Sequence, residues 1–229
     1  MIRHLLELRR RSIHLLIWFS ALFLLFFFCA NDLFHALVSP LLHTLSAQEG
    51  LIATHITSPV FTPLTLAADA ALLFSAPVAL FQFWRFISPG LYQKEQHIVR
   101  TAILLSLLLF LAGVLFCFYM ILPYMFQFFA HALPKGVRYM PDMAYALDFI
   151  TRMLLLFGLC FQVPLLCFIL VRLQLVPLLV LKTIRPYVIV AAFVIGMLLT
   201  PPDVFSQVLL AVPLCVLYEL GIILAVYLA

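Results

Sequence analysis

The chain is organised as long apolar runs separated by short polar segments. Six runs stand out, at roughly Ile13–Cys29, Pro63–Trp84, Thr101–Pro123, Leu147–Leu170, Tyr187–Thr200 and Phe205–Leu228. A helix rises about 1.5 Å per residue and the hydrocarbon core of a bilayer is about 30 Å thick, so about 20 apolar residues cross it. Five of the runs approach or reach that length. The fifth, Tyr187–Thr200, reaches only about 21 Å as a helix, so it must thin the bilayer or lean on its neighbours. The pattern predicts an all-α polytopic membrane protein with six transmembrane helices in a single membrane domain, residues 1–229.

Prolines fall inside or at the ends of these runs, at Pro77, Pro123, Pro164, Pro186 and Pro213. Each interior proline removes a backbone hydrogen bond and tends to kink its helix. Pro164, for example, leaves the Cys160 carbonyl without its usual donor. Several kinked helices favour a bent, concave assembly, although proline is also simply common in membrane helices.

The intervening segments orient the chain. Arg3, Arg9, Arg10 and Arg11 precede the first run; Arg85, Lys94 and Arg100 lie between the second and third; Arg172, Lys182 and Arg185 lie between the fourth and fifth. The opposite side has Lys135, Arg138 and Arg152. The excess of basic residues marks the cytoplasmic side, which places both termini in the cytoplasm. The first run is expected to be retained as a helix, because no small-residue cleavage site closes it and further spans follow. Two longer segments, 30–62 and 124–146, lie on the outer side, and patches such as "LFHALVSPLLHTL" are expected to form short amphipathic helices there.

Composition agrees with this picture. Of the 229 residues, 66% are hydrophobic and 10% are charged, against about half and a quarter in a soluble domain. The net charge of +4 is no nucleic-acid signal, because the bases are loop residues of a membrane protein. Cys29, Cys117, Cys160, Cys167 and Cys215 all fall in apolar runs without metal-type spacing and read as small hydrophobes. His35, His43 and His55 share one outer segment, but their spacing matches no ligand pattern, so no metal is expected. There is no HExxH, no nucleophile elbow and no paired Ser and His at membrane depth, so the chain does not read as an enzyme.

Polar residues at membrane depth carry more information, because each is costly there. They are Asp69 in the second run, Gln162 in the fourth and Glu219 in the last, with Asp203 in the turn "TPPD". Gln162 can serve as an interhelical hydrogen-bonding residue. Glu219 can be a neutral acid or a carboxylate paired with a neighbour. A proton-coupled secondary transporter of small solutes is one reading of this set. The cytoplasmic face sets two acids, Glu7 and Glu95, among its ten bases. Glu7 can pair with Arg11 at i,i+4, and Glu95 can favour a helix dipole. Alternatively, the two carboxylates face one patch and receive a basic ligand through charge-assisted bonds.

The segments "HLLELRRR", "SPVFTPL", "FWRFISPGLYQKE", "RPYVIVAAFVIGMLLTPPDVFSQ" and "LYELG", in that order from His4 to about Gly221, resemble the TatC family. TatC is the polytopic core subunit of the twin-arginine protein translocase. The resemblance implies six helices in a cup-like arrangement, in the bacterial cytoplasmic (inner) membrane, with no catalytic activity and no cofactor. It implies a receptor that binds twin-arginine signal peptides of folded proteins together with the single-span TatB. That receptor then recruits TatA for export driven by the proton-motive force. The family's signal-binding positions match Glu7, Arg9, Phe86 and Glu95 here. Its partner-helix positions match Met197, Leu198, Thr200 and Gln207, and its outer-face positions match Pro40 and Asp203.

The chain departs from the family pattern at three positions. Many relatives have Glu where it has Gln162, often Lys where it has Thr65, and an apolar or small residue where it has Asp69. It also ends "AVYLA", without the charged tail common in relatives. No chain of protonatable residues visibly crosses the protein, so energy coupling is expected to reside in the assembled complex.

Overall fold

The structure is a computed structural model that describes residues 2–42, 50–87, 96–132, 140–199 and 204–228. Those residues are helical almost throughout: α1 Ile2–Phe28, α2 Ala30–Leu42, α3 Ser58–Ile87, α4 Gln96–Phe116, α5 Leu122–His131, α6 Met143–Cys160, α7 Val163–Arg172, α8 Leu178–Thr183, α9 Arg185–Leu199 and α10 Val204–Leu228. Long unbroken apolar stretches can satisfy their backbone in lipid only by hydrogen-bonding within themselves, which a helix does. Among the described residues five stretches are long and apolar enough to cross a membrane: Arg9–Phe28, Ser58–Arg85, Thr101–His131, Met143–Arg172 and Val204–Tyr227. The fifth run of the sequence becomes a shorter apolar helix, Arg185–Leu198. Large apolar side chains such as Leu16, Ile17 and Phe28 point outward from these helices, as expected where the surrounding solvent is lipid.

Prolines set the boundaries differently from a simple reading of breaks. The second span begins at Ser58, with Pro59 in its first turn where the missing amide has no intrahelical acceptor, and passes through Pro63 and Pro77, each of which leaves one i−4 carbonyl without its usual donor. The third span continues past Pro123. The five residues Cys117–Ile121 form a π-helical turn immediately before it, closed by the Leu122 amide donating to the Cys117 carbonyl. The extra residue in that turn makes room for the proline ring and lets α5 continue. At Pro164 the expected disruption does occur. The α6 ladder ends at Cys160, the Gln162 amide turns back to the Leu159 carbonyl at 3.0 Å, and α7 starts afresh with Pro164 in its first turn.

Two compact units divide the chain: 1–107 with 126–151, and 108–125 with 152–229. In the first unit α1 lies along α3, with Phe26 and Phe74 in ring contact at 5.0 Å. Helix α2 realises the amphipathic outer segment expected from the sequence, burying Leu37, Val38, Pro40 and Leu41 and packing on α3.

The extended segment before α3 is tied to the start of α6. Ile52 bridges to Asp142 through Ile52 N–H to the Pro141 carbonyl (3.1 Å) and Met143 N–H to the Ile52 carbonyl (2.9 Å). The Asp142 carboxylate accepts from the Thr54 hydroxyl (2.6 Å) and amide (2.9 Å). It also caps α6 by accepting from the Ala144 (2.9 Å) and Tyr145 (3.2 Å) amides. The Thr54 hydroxyl, helped by the three amides, holds this carboxyl down at about 2.

An ordinary aspartate titrates near 4. Ionised Asp142 therefore stabilises the fold above that value, and the contribution is lost as pH falls from about 4 toward about 2. Thermal unfolding of the detergent-solubilised protein is expected to weaken over this window. Asp142→Ala is expected to lower the midpoint at pH 7 by the loss of a cap, about 1 kcal/mol, and to flatten the acid dependence. A midpoint unchanged by Asp142→Ala would contradict the assignment.

In the second unit α10 packs on α7 and α9. Gly221 makes the α7 approach possible, since a Cβ there would lie 2.9 Å from Pro164 Cα. Cys167, Leu181, Tyr218 and Ile222 form a buried cluster, and the Tyr218 hydroxyl donates to the Leu181 carbonyl at 2.7 Å. Of the five cysteines, Cys117 and Cys167 are buried while Cys29 is exposed, so the reading as small core hydrophobes does not extend to Cys29.

Candidate functional site

The basic segment that precedes the first span is the first part of α1, which brings Glu7 and Arg11 onto one face, one turn apart. The Arg11 guanidinium pairs with the Glu7 carboxylate. It also donates from Nη1 to the Gln82 carbonyl at 2.7 Å and from Nη2 to the Arg85 carbonyl at 3.3 Å. Both carbonyls lie in the last two turns of α3, at its partially negative end, and that of Arg85 is among the last four, which have no intrahelical donor. Arg11 thus caps α3 and holds Glu7 beside its end. Its side chain is only 18% exposed, against 39% for Glu7, so the carboxylate keeps an open side.

Arg9 is exposed on the same helix. The Phe86 side chain and all of Glu95 lie outside the described residues. The structure therefore places Glu7 beside the end of α3, leaves Arg9 exposed on α1, and does not describe the side chains at the other two positions matched by the resemblance. Sequence reasoning anticipated the Glu7–Arg11 pair. It missed the cap on α3, for which the only local signal was a surplus of arginines.

The matched partner-helix positions lie in the second unit. Met197 and Leu198 are 57% and 73% exposed near the end of α9. Gln207 is half-buried on α10 and faces Gly196 of α9, where an added Cβ would sit in ordinary van der Waals contact at 3.5 Å from the Gln207 backbone. Thr200, between them, lies outside the described residues, as does Asp203. A short helix with an exposed apolar end beside a polar residue offers a surface to another helix carrying a polar group.

The three polar residues singled out at membrane depth, Asp69, Gln162 and Glu219, are each engaged. Glu219 on α10 pairs with Arg185 at the start of α9, Oε2 to Nη2 at 2.7 Å. Gln162 is buried at the break between α6 and α7 and has an interaction partner. Asp69 on α3 accepts from the Thr151 hydroxyl on α6 at 3.1 Å. Pro40 is buried in α2. Among the described residues no group of His, Cys, Asp and Glu has the makings of a metal site.

The described residues are those of a helical, multi-pass membrane protein with a carboxylate held beside the end of a membrane helix. Comparison with known proteins names the class. Residues 3–213 match the family model of the Sec-independent protein translocase protein (TatC). The chain is 42% identical over 225 residues to TatC of Haemophilus influenzae, covering 98% of this chain and 88% of that one. It is 41% identical over 222 residues to TatC of Escherichia coli K12, covering 97% and 86%. A crystal structure of a twin arginine translocase receptor, TatC, superposes with a TM-score of 0.86 at 34% identity, covering 97% of each chain.

The chain belongs to the TatC family. It is a multi-pass membrane subunit of the Sec-independent, twin-arginine protein translocase, a receptor and not an enzyme.

Proposed function

We propose that this chain is the signal-receiving subunit of the translocase in the bacterial cytoplasmic membrane, spanning it six times with both termini in the cytoplasm. Glu7 and Glu95 receive the two guanidinium groups of a twin-arginine signal peptide, with Arg9 and Phe86 lining the surface beside them. Met197, Leu198, Thr200 and Gln207 dock the single helices of TatB-like and TatA-like partners.

The observation that carries the reading is the Glu7 carboxylate, already gripping a guanidinium at the end of α3 while one side stays open. A carboxylate in that setting is built for a second arginine, because charge-assisted bonds to a planar fork are short and directional. Basic neighbours reject misplaced positive charge and so select the register. Among the described residues Asp69, Gln162 and Glu219, which motivated the solute-transporter alternative, are all engaged, and the family is a protein translocase.

Site-specific photo-crosslinkers test the assignment. A probe replacing Arg9 or Phe86 is expected to capture a twin-arginine precursor. A probe replacing Leu198 is expected to capture a single-span partner and not the arginine pair. Capture of the arginine pair at Leu198 and not at Phe86 would overturn it.

A further inference from the structure

A cavity of about 240 Å³ opens in the first unit, where Ala30 and Phe34 of α2, Thr62, Pro63 and Leu66 of α3, and Met143 of α6 come together. Here α1 has just ended at Phe28, and α3 and α6 are beginning, so the cavity sits at the level where membrane-crossing helices meet the interface. Val60 and Phe61, adjacent in sequence to the wall, are 74% and 57% exposed and face outward.

The recess is almost wholly apolar, with two exceptions. Thr62 is 3% exposed, yet its hydroxyl has no hydrogen-bond partner. A buried hydroxyl without a partner is costly, and native proteins rarely leave one so. Asn31, also part of the lining, is exposed and offers an amide.

Size restricts the occupant. A cavity of about 150 Å³ holds a benzene ring, and pockets for drug-sized ligands start near 300 Å³. A whole helix, about 10–12 Å across with its side chains, does not enter. One extended hydrocarbon segment does. A molecule that brings a hydrocarbon chain to the membrane interface, with a hydrogen-bond acceptor at its head, is a phospholipid. Its ester carbonyl lies at interface level and its chain runs deeper, in the direction from Thr62 toward Leu66.

We propose that this cavity binds one acyl chain of a phospholipid, with the Thr62 hydroxyl donating to the ester carbonyl. The inference is independent of the signal-receiving reading, which would survive its failure.

The test is native mass spectrometry of the full-length protein, delipidated in detergent and titrated with phosphatidylethanolamine. One lipid is expected to be retained after the others dissociate. Thr62→Val keeps the shape and removes the donor, so it is expected to raise the dissociation constant about two- to tenfold. A diether analogue without ester carbonyls is expected to bind wild type as weakly as the ester lipid binds Thr62→Val, and to be indifferent to that substitution. Ala30→Leu fills the recess and is expected to abolish retention. Retention of no lipid, or equal retention of ester and diether lipids by wild type and Thr62→Val, would overturn the proposal. So would displacement of the retained lipid by a hydrophobic signal peptide, which would assign the cavity to the peptide.

Discussion

Gly113→Ala is expected to lower the unfolding midpoint of the detergent-solubilised protein more than any other single-methyl addition in the second unit. A Cβ at Gly113 would lie 2.6 Å from the Phe157 carbonyl oxygen and 2.9 Å from the Phe161 ring. The first of these contacts is with helix backbone, which cannot swing aside, so α4 must move away from α6. Glycines at such crossings allow the close backbone approach that membrane helices use in place of a hydrophobic driving force. Overpacking a site of this kind costs about 1–3 kcal/mol, toward the upper end where backbone is the obstacle. Gly158→Ala is the comparison. Its Cβ would meet the Phe110 ring edge at 2.6 Å, and a ring can tilt, so a smaller loss is expected. A Gly113→Ala midpoint equal to wild type, measured by thermal unfolding with monodispersity checked by gel filtration, would contradict the packing described.

Arg11→Ala is expected to have the largest effect among the charges of the basic segment that begins α1. One guanidinium joins the Glu7 carboxylate to two carbonyls in the last turns of α3, so the substitution removes these three contacts together. Hydrogen bonds involving a charged group contribute about 1.5–3 kcal/mol each, though partial exposure and shared geometry keep the sum well below additive. A loss of about 2–3 kcal/mol in unfolding free energy is expected on that basis. Arg11→Lys is expected to recover only part of it, because an ammonium is a point charge and cannot span carboxylate and carbonyls with a planar fork. Full recovery by lysine would show that charge alone matters and that the cap on α3 is incidental.

Much of the fold was legible because lipid as solvent writes itself into composition. Long apolar runs located the spans of α1, α3, α4, α6 with α7, and α10. The Pro164 break and the Glu7–Arg11 pair followed from rules that act within one turn. The misplacements also have local causes. Pro63 was read as a helix start and Pro123 as a helix end, yet the first sits inside the early turns of α3 and the second is absorbed by the π turn at Cys117–Ile121.

What was not legible depends on distant partners. Arg11 meets Gln82 across 71 residues, Asp142 meets Thr54 across 88, and Asp69 meets Thr151 across 82. Membrane helices show little periodicity when lipid and protein faces are both apolar, so hydropathy alone does not indicate which helix touches which. The short helix α9 was visible as a run too short to cross unaided, but its pairing of Arg185 with Glu219 was open until the two helices were placed.

The central claim is the proposal that the carboxylates of Glu7 and Glu95 read a pair of arginines. It is tested most directly by titrating the solubilised protein, with its TatB-like partner, with a twin-arginine signal peptide and with the same peptide carrying two lysines. Wild type is expected to prefer the arginine peptide. Loss of one charge-assisted contact of about 1.5–3 kcal/mol corresponds to roughly 10- to 150-fold in affinity, so Glu7→Gln and Glu95→Gln are each expected to weaken arginine binding within that range and to erase the preference over lysine. Equal affinity of both peptides for wild type, or an arginine preference that survives in both variants, would contradict it.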